Sequence, residues 1–201
     1  MTRVLVFDMG GVLYDFEGEG LLARTSKRRR RWRREEVQAL WARLVHGFET
    51  GVSNEAEFAE AIVQGFELTL SPAEFLTEFG AAARGFYEGS LALLTELRTE
   101  HRLLSLSNTN SIQWSQLLAQ LGREDPFHAH HPSHVSGFHK PDPRAFRAVT
   151  EHHGADSEFY FFDDRPQNVA AASAIGWRAR CVRGIAEARR ACIELGLLSG
   201  S

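Results

Sequence analysis

The sequence has few cysteines and no long apolar run. Its 201 residues include two cysteines, Cys181 and Cys192, which are too few for a disulfide scaffold and match no zinc-ligand spacing, so we expect both to be packing residues. No stretch approaches the roughly 18 consecutive apolar residues that a transmembrane helix needs. The first apolar run, 4–7, is too short for a signal peptide. These absences predict a cytoplasmic protein that does not enter a membrane.

A large excess of charge is also missing. The net charge is −3 at pH 7 and 43% of the residues are hydrophobic, which excludes a disordered chain and a strongly basic nucleic-acid-binding protein. Basic residues are concentrated in one place, because seven of the 23 Lys and Arg residues lie within 27–34. This basic run is interpreted first as a solvated helix face and second as an attraction for anionic substrates. A nucleic-acid contact comes last, because no nucleic-acid-binding motif accompanies the run.

Short apolar runs alternate with amphipathic segments over most of the chain. Strands are predicted at 3–7, 102–106, 159–162 and 177–182. Helices are predicted between them: one has Trp114, Leu118 and Leu121 on its apolar face, and two others begin at Pro143 and Pro166. Because strands that alternate with helices form right-handed crossovers, the pattern predicts an α/β fold with a doubly wound parallel sheet of the Rossmann-like type.

The segment 15–88 interrupts this alternation, since it contains no convincing strand. Asn54 with Glu57, and Ser71 with Glu74, form capping boxes, which mark the starts of helices. Another helix is predicted from a stripe of apolar residues at helical spacing, which comprises Val37, Leu40, Trp41, Leu44 and Phe48. The sequence therefore predicts a core domain of residues 1–14 and 89–201, with an all-helical insert at 15–88. It leaves the oligomeric state open.

Polar side chains follow the predicted strands, at the sheet edge where ligands bind in open parallel sheets. They are Asp8, Ser107, Asn108, Asp163 and Asp164, with Lys140 in a loop at 137–141. Carboxylates that converge without a cation repel one another, so the arrangement calls for a metal ion, a lysine or both. All-oxygen ligation favours Mg²⁺, and a carboxylate, a hydroxyl, an ammonium and Mg²⁺ around one point suit in-line phosphoryl transfer. The residues therefore indicate a phosphate substrate.

Four segments in chain order resemble the motifs of the haloacid dehalogenase (HAD) superfamily. They are 4–13 (VLVFDMGGVL), 104–110 (LSLSNTN), 137–143 (GFHKPDP) and 161–169 (FFDDRPQNV). The resemblance spans nearly the whole chain, and the insert falls where subclass I members carry a helical cap domain. Phe48-Glu49-Thr50-Gly51 is similar to a segment common in those caps. The nearest resemblance is to bacterial sugar-phosphate phosphatases and to the phosphatase domain of soluble epoxide hydrolase.

The resemblance implies catalytic roles for Asp8, Ser107 and Lys140. Asp8 would attack phosphorus and form an aspartyl-phosphate, which water would then hydrolyse. Ser107 and the backbone of Asn108, at the start of a helix, would bind phosphoryl oxygens. Lys140 would neutralise both Asp8 and the transferring group.

The same resemblance implies a Mg²⁺ site. Asp8, Asp164 and the backbone carbonyl of Gly10 would bind the ion, and Asp163 and Asn168 would act as auxiliary groups around them. The cofactor expected from this set is Mg²⁺ alone.

Residues beside the motifs are candidates for substrate contact. Gly11 lies within the first motif, and Tyr14 and Phe16 lie just past it, where the chain enters the insert. Five histidines fall within 128–139, but their spacing fits no zinc pattern, so we interpret them as structural or solvated. His139, which precedes Lys140, is the one best placed to line the site.

Position 10 departs from the family pattern. Most family phosphatases carry a second aspartate there, which protonates the leaving oxygen and then activates water, whereas Gly10 offers only its backbone carbonyl. General acid–base catalysis contributes roughly 10²- to 10⁴-fold, so we expect poor leaving groups to react slowly. The expected function is Mg²⁺-dependent hydrolysis of a small phosphorylated metabolite. Two alternatives are a metal-independent 2-haloacid dehalogenase and a catalytically weak homologue that binds a phosphorylated ligand.

Overall fold

A computed structural model describes residues 2–16, 33–154 and 156–199. In chain order its strands are β1 (Arg3–Phe7), β2 (Tyr14–Phe16), β3 (Ala83–Phe86), β4 (Arg102–Ser107), β5 (Ala129–Pro132), β6 (Glu158–Asp163) and β7 (Arg178–Cys181). Its helices are α1 (Arg34–Glu49), α2 (Glu55–Gly65), α3 (Pro72–Gly80), α4 (Ser90–Arg98), α5 (Ser111–Leu121), α6 (Ser133–Ser136), α7 (Pro143–His153), α8 (Pro166–Ala174) and α9 (Gly184–Glu194), with a 3₁₀ turn at Gly122–Glu124. None of these helices is both long enough and apolar enough to cross a membrane.

Five strands form a parallel sheet in the order β5–β4–β1–β6–β7, which confirms the predicted α/β fold. β1 lies at the centre, and both of its faces are covered: Leu5 and Phe7 belong to one hydrophobic cluster, and Val4 and Val6 belong to another. Successive side chains of a strand point to opposite faces, so an uninterrupted apolar run marks a strand that is buried on both sides. Asp8, the next residue, is thereby placed at the middle of the sheet edge.

Three local predictions need correction. In α5 the residue that packs in the core between Trp114 and Leu121 is Leu117, whereas the predicted Leu118 is 39% exposed, because the buried stripe of this helix runs through 114, 117 and 121. Cys181 ends the edge strand β7 and is exposed, so of the two cysteines Cys192 alone packs in the core. Residues 129–132 form β5, a strand that an apolar-run criterion does not detect because two of its four residues are histidine.

Helices α1, α2 and α3 of the insert pack around an aromatic cluster of their own. Phe58 lies at its centre, with its ring centroid 4.4 Å from that of Phe48, 5.8 Å from that of Phe75 and 5.4 Å from that of Phe79. The predicted apolar stripe of α1 joins this cluster. Both predicted capping boxes are present, at the N-termini of α2 and α3. Local capping and a separate apolar cluster therefore define the helices of the insert.

The insert is not helical at its two ends. β2 and β3 pair antiparallel, with Tyr14 opposite Phe86 and Asp15 opposite Gly85, although the sequence indicated no strand within 15–88. The strands have three and four residues, so neither carries enough alternation to be recognised, and each depends on a partner about 70 positions away. The chain enters and leaves the insert through this one short ribbon.

Candidate active site

The carboxyl ends of β1, β4 and β6 lie side by side, and the polar residues that follow these strands come together there. They face a cavity of about 1230 Å³. The core residues that line it include Asp8, Ser107, Asn108, Asp164 and Asn168. The insert lines it with residues of α1 that include Gln38, His46 and Glu49. The cavity therefore lies between the sheet edge and the helical insert.

Lys140 is the central cation of this site. Its side chain is 1% exposed, and its ammonium donates hydrogen bonds to Asp163 Oδ2 at 2.7 Å and to the carbonyl of Leu106 at 2.6 Å. The same nitrogen lies 3.0 Å from Asp8 Oδ1. A buried ammonium without such partners would be very costly, so these contacts hold the Lys140 side chain in place.

Asp163 is fully engaged by contacts within the protein. It is completely buried. Its Oδ1 accepts from the Arg165 amide and its Oδ2 accepts from Lys140, while Asn168 Nδ2 donates to both oxygens. A carboxylate offers about four acceptor sites, so little capacity is left for a substrate or a metal ion. Asp163 therefore orients the side chains of Lys140 and Asn168.

Three carboxylates converge at the sheet edge, since Asp8, Asp163 and Asp164 place oxygens within 4.8 Å of one another. Burial raises the pKa of Asp8 to about 7, with the nearby Lys140 lowering it and Asp163 raising it further. Burial, and then the charge of Asp163, also raises the pKa of Asp164. Carboxylate oxygens that converge in this way suit a divalent cation that prefers oxygen ligands.

Two of these carboxylates keep oxygens that no described residue occupies. Asp8 Oδ1 accepts from the Met9 amide and contacts Lys140, but no residue of the described ranges donates a hydrogen bond to Asp8 Oδ2. The carboxylate of Asp164 likewise receives none from those residues, and it lines the cavity. Asp8 and Asp164 are therefore the groups whose oxygens fit a Mg²⁺ ion. Gly10, whose carbonyl the resemblance implies as a third ligand, also lines the cavity.

Gly10 and Gly11 both line the cavity but have different surroundings. A Cβ at Gly11 would lie 2.9 Å from Asp164 Oδ2, and Gly11 has a φ of +75°, so another residue there would be strained and would displace the carboxylate. A Cβ at Gly10 would have no heavy atom within 4 Å. Gly11 thus leaves room for Asp164 beside Asp8, while position 10 is sterically open.

Ser107 and Asn108 follow β4 but contribute differently. Ser107 lines the cavity, and no described residue bonds its hydroxyl, which is free to donate to a ligand. The Asn108 side chain is committed: Oδ1 accepts from the Lys140 amide and Nδ2 donates to the Lys140 carbonyl, each at 2.8 Å. The expectation that Asn108 starts a helix is wrong, because α5 begins at Ser111 and Asn110 supplies the capping side chain.

Tyr14 and Phe16 are placed at the cavity by β2. Tyr14 is 4% exposed, and its hydroxyl accepts a hydrogen bond from Gln120 at 3.0 Å, so most of its side chain belongs to the core. Phe16 packs edge-to-face on Phe79 of the insert. Sequence reasoning missed Tyr87, which follows β3, lines the cavity and has its pKa raised by burial. No motif surrounds Tyr87, and the pairing of β3 with β2 brings it to the cavity.

The histidines do not form a metal site. Among the described residues, the potential metal ligands that converge are the three aspartates. His131 Nε2 lies 2.9 Å from His153 Nε2, and burial lowers the pKa of His131 to about 4. His139 does line the cavity, where it contacts Glu49 of α1 and Asn108.

The basic run lies largely beyond what the structure describes. Arg33 caps α1 and pairs with Glu36 at 2.7 Å. Residues 27–32 lie outside the described residues. The three interpretations of the run therefore stay predictions.

The fold resembles solved HAD enzymes. A HAD family enzyme from Bacteroides thetaiotaomicron has a TM-score of 0.79 at 24% identity, covering 90% of this chain and 94% of that chain. Its complex with magnesium and inorganic phosphate has a TM-score of 0.73 at 24% identity, covering 91% and 95%. A protein from Porphyromonas gingivalis described as a predicted HAD-like family hydrolase gives 0.76 at 21% identity, covering 97% and 98%. An L-2-haloacid dehalogenase from Xanthobacter autotrophicus gives 0.63 at 20% identity, covering 98% and 83%. Such low identities show the fold alone.

Family membership follows from the sequence itself. The family model of haloacid dehalogenase-like hydrolases matches residues 2–176, a range that contains all four motifs. No curated protein is significantly similar to the chain. Since the match covers most of the chain, the protein belongs to the haloacid dehalogenase-like hydrolase family.

Proposed function

We propose that the protein is a Mg²⁺-dependent phosphatase that hydrolyses a small phosphate monoester through an aspartyl-phosphate on Asp8. The observation that carries the proposal is the buried ammonium of Lys140, 3.0 Å from Asp8 and 2.7 Å from Asp163. A carboxylate held beside a fixed cation and open to a cavity is suited to act as a nucleophile. The magnesium and phosphate bound to a structural neighbour support the same class of ligand here.

In the first step the phosphoryl group moves to Asp8. The carboxylate of Asp8 attacks phosphorus, the bond from phosphorus to the leaving oxygen breaks, and the alcohol takes a proton from solvent as it leaves. Ser107 donates its hydroxyl hydrogen to a phosphoryl oxygen. Asp163 holds Lys140 in place, so the ammonium keeps balancing the charge around Asp8 during transfer.

In the second step water attacks phosphorus, the bond from phosphorus to Asp8 breaks, and inorganic phosphate leaves. Asp8 returns as a carboxylate, and the proton of the attacking water goes to solvent. Asp8, Asp164 and the Gly10 carbonyl are the groups that would hold Mg²⁺, which when bound supplies positive charge against the phosphoryl oxygens.

A metal-independent haloacid dehalogenase is the main alternative, since one structural neighbour is an L-2-haloacid dehalogenase. The convergence of Asp164 with Asp8 argues against it. An uncompensated carboxylate there has no role in displacement at carbon and would repel a carboxylate substrate.

The test measures release of p-nitrophenol from p-nitrophenyl phosphate, with Mg²⁺ or EDTA, and chloride from 2-chloropropionate. We expect release that depends on Mg²⁺ and falls at least about 10³-fold in Asp8→Asn, with no chloride. Asp142→Asn is the matched control, because Asp142 caps α7 in the same loop region but contacts Arg144 rather than Lys140.

The other outcomes separate the alternatives. Chloride release that persists in EDTA would establish a dehalogenase instead. No release from either substrate, together with retained binding of inorganic phosphate, would indicate a homologue that binds a phosphorylated ligand without turning it over.

A further inference from the structure

We propose that Glu49 is a positioning residue for phosphoryl transfer, because it ties the helical insert, through His139 and Asn108, to the loop that carries Lys140. The inference rests on the proposed phosphatase function and assigns a role to a residue outside the core motifs.

A chain of hydrogen bonds leads from the insert to the catalytic loop. Glu49 ends α1, and its Oε2 lies 2.9 Å from His139 Nε2, with the two side chains 13% and 19% exposed. His139 Nδ1 lies 3.1 Å from Asn108 Nδ2. Asn108 holds the amide and the carbonyl of Lys140, each at 2.8 Å. The last member of the chain is therefore the residue whose ammonium contacts Asp8.

The direction of each bond follows from Asn108. A backbone amide only donates and a carbonyl only accepts, so the contacts with Lys140 fix which end of the Asn108 side chain is oxygen and which is nitrogen. The second hydrogen of Asn108 Nδ2 then points at His139 Nδ1, which must be an acceptor. His139 consequently carries its hydrogen on Nε2 and donates it to Glu49. The hydrogen bonds thus select one neutral tautomer of the imidazole.

Backbone packing brings the same two segments together. A Cβ at Gly51, just after α1, would lie 3.0 Å from the carbonyl oxygen of His134. Gly51 also has a φ of +73°, so glycine satisfies both the conformation and the close approach. A Cβ at Gly137 would lie 3.9 Å from the carbonyl oxygen of Thr50. The end of α1 therefore packs against the segment that continues into His139.

Both ring nitrogens of His139 are occupied, so the chain positions groups and does not move protons. Without Glu49, the Nε2 hydrogen of a largely buried ring loses its acceptor, and the ring no longer holds Asn108 from the far side. Misplacing a catalytic group by about 1 Å can lower turnover about 10²-fold. Glu49 therefore acts on turnover more than on phosphate affinity.

The test compares Glu49→Ala and Glu49→Gln in the full chain with p-nitrophenyl phosphate and Mg²⁺. We expect Glu49→Ala to lower kcat about 10- to 100-fold, with KM and the inhibition constant of inorganic phosphate changed by less than about threefold. Glu49→Gln should stay within about threefold of wild type, because the amide oxygen still accepts from His139. Glu55→Ala is the matched control: Glu55 also joins insert to core, through the Ser111 hydroxyl at 2.7 Å, but does not line this cavity.

Two further measurements follow the chain itself. The double variant Glu49→Ala/His139→Ala should lose no more kcat than the more impaired of the two single variants, since both substitutions break the same link. The ¹⁵N shifts of His139 in the wild-type protein should report the tautomer with hydrogen on Nε2. Additive losses, or hydrogen on Nδ1, would overturn the inference.

Other outcomes also decide the matter. If Glu49→Gln loses as much kcat as Glu49→Ala, the negative charge itself is needed and positioning is overturned. If Glu49→Ala lowers Tm but not kcat, Glu49 contributes to stability alone and the inference is overturned. A wild-type protein without phosphatase activity overturns the proposed function and this inference together, whereas an active wild type with an unaffected Glu49→Ala overturns only the inference.

Discussion

The floor and the wall of the cavity are built in different ways. The floor comprises Asp8 and Asp164, which line the cavity, and Lys140 and Asp163, which are buried and contact each other, with Lys140 also contacting Asp8. The wall is the side of α1 that lines the cavity, including Gln38, His46 and Glu49. The floor groups follow strands of the central sheet or lie in an adjoining loop, and their charges are buried or half-buried and depend on one another. The wall groups belong to one helix, on which Gln38 and His46 are exposed and Glu49 is half-buried.

Because of this difference, we expect the floor residues to determine turnover and the wall residues to determine substrate affinity. In the floor, low exposure makes each charge strongly dependent on its neighbours, so a single change should alter both stability and turnover. In the wall, solvent screens the side chains, so changes should be small and act on substrate affinity. Glu49 is the exception in the wall, since it contacts the core.

Lys140→Met should give the largest effect. It leaves the Asp8 and Asp163 carboxylates buried without a cation, which is expected to cost about 3–5 kcal/mol of unfolding free energy and nearly all turnover. Urea unfolding and p-nitrophenyl phosphate hydrolysis measure the two losses. Adding Asp163→Asn should restore part of the stability and none of the activity. If it restores no stability, the buried charge is not the cause of the loss.

Asp8→Asn should be more stable than wild type without divalent metal at pH 8, by roughly 1–3 kcal/mol. Burial raises the pKa of Asp8 to about 7, so the folded wild type bears a growing cost of ionisation between about pH 4 and pH 7, and the amide avoids it. Thermal unfolding in EDTA across this range measures the difference.

The advantage of Asp8→Asn should vanish below about pH 4, where the wild-type carboxyl is protonated in both states. It should also shrink when Mg²⁺ is added, because a cation that binds the wild-type carboxylates stabilises the folded protein. A variant less stable than wild type at pH 8 in EDTA would contradict this account of the floor.

Gly11→Ala should cost about 1–2 kcal/mol and reduce activity at limiting Mg²⁺, because its Cβ meets Asp164 and its φ is positive. Gly10→Ala is the matched change one residue earlier, and it should stay within about 0.5 kcal/mol of wild type because the space there is open. Chemical unfolding and Mg²⁺ titration of activity compare the two. Equal effects would show that Asp164 is not held as described.

Gln38→Ala in the wall should have the smallest effect. Gln38 lines the cavity and is exposed, so we expect KM for p-nitrophenyl phosphate to change by up to about threefold, with kcat and Tm unchanged. Gln64→Ala on α2, which does not line the cavity, serves as the control. A large fall in kcat would mean that the wall takes part in the chemistry.

Most of the floor could be predicted from the sequence, for a local reason. Asp8 and Asp163 stand at the ends of apolar runs, and parallel strands bring such ends to one edge. The capping boxes of α2 and α3 were equally readable, because a capping box is a contact between residues three apart. Lys140 needed the family resemblance, since nothing in its loop alone distinguishes it from a solvated lysine.

The wall could not be predicted, because its contacts join distant parts of the chain. Glu49 and His139 are 90 residues apart, and neither periodicity nor a motif pairs them. The same holds for β2 and β3. Leu117 and Leu118 illustrate a finer limit, since both are apolar neighbours and only the packed structure selects which one faces the core.

The ribbon of β2 and β3 holds the two ends of the insert together. Because Tyr14 and Phe86 are already paired, the two points where the insert joins the core are held together without the helices between them. A tight turn grafted between Phe16 and Ala83 would leave the spacing of the core attachment points unchanged. The helices can accordingly lengthen, shorten or be exchanged as a cassette while the central sheet keeps its geometry.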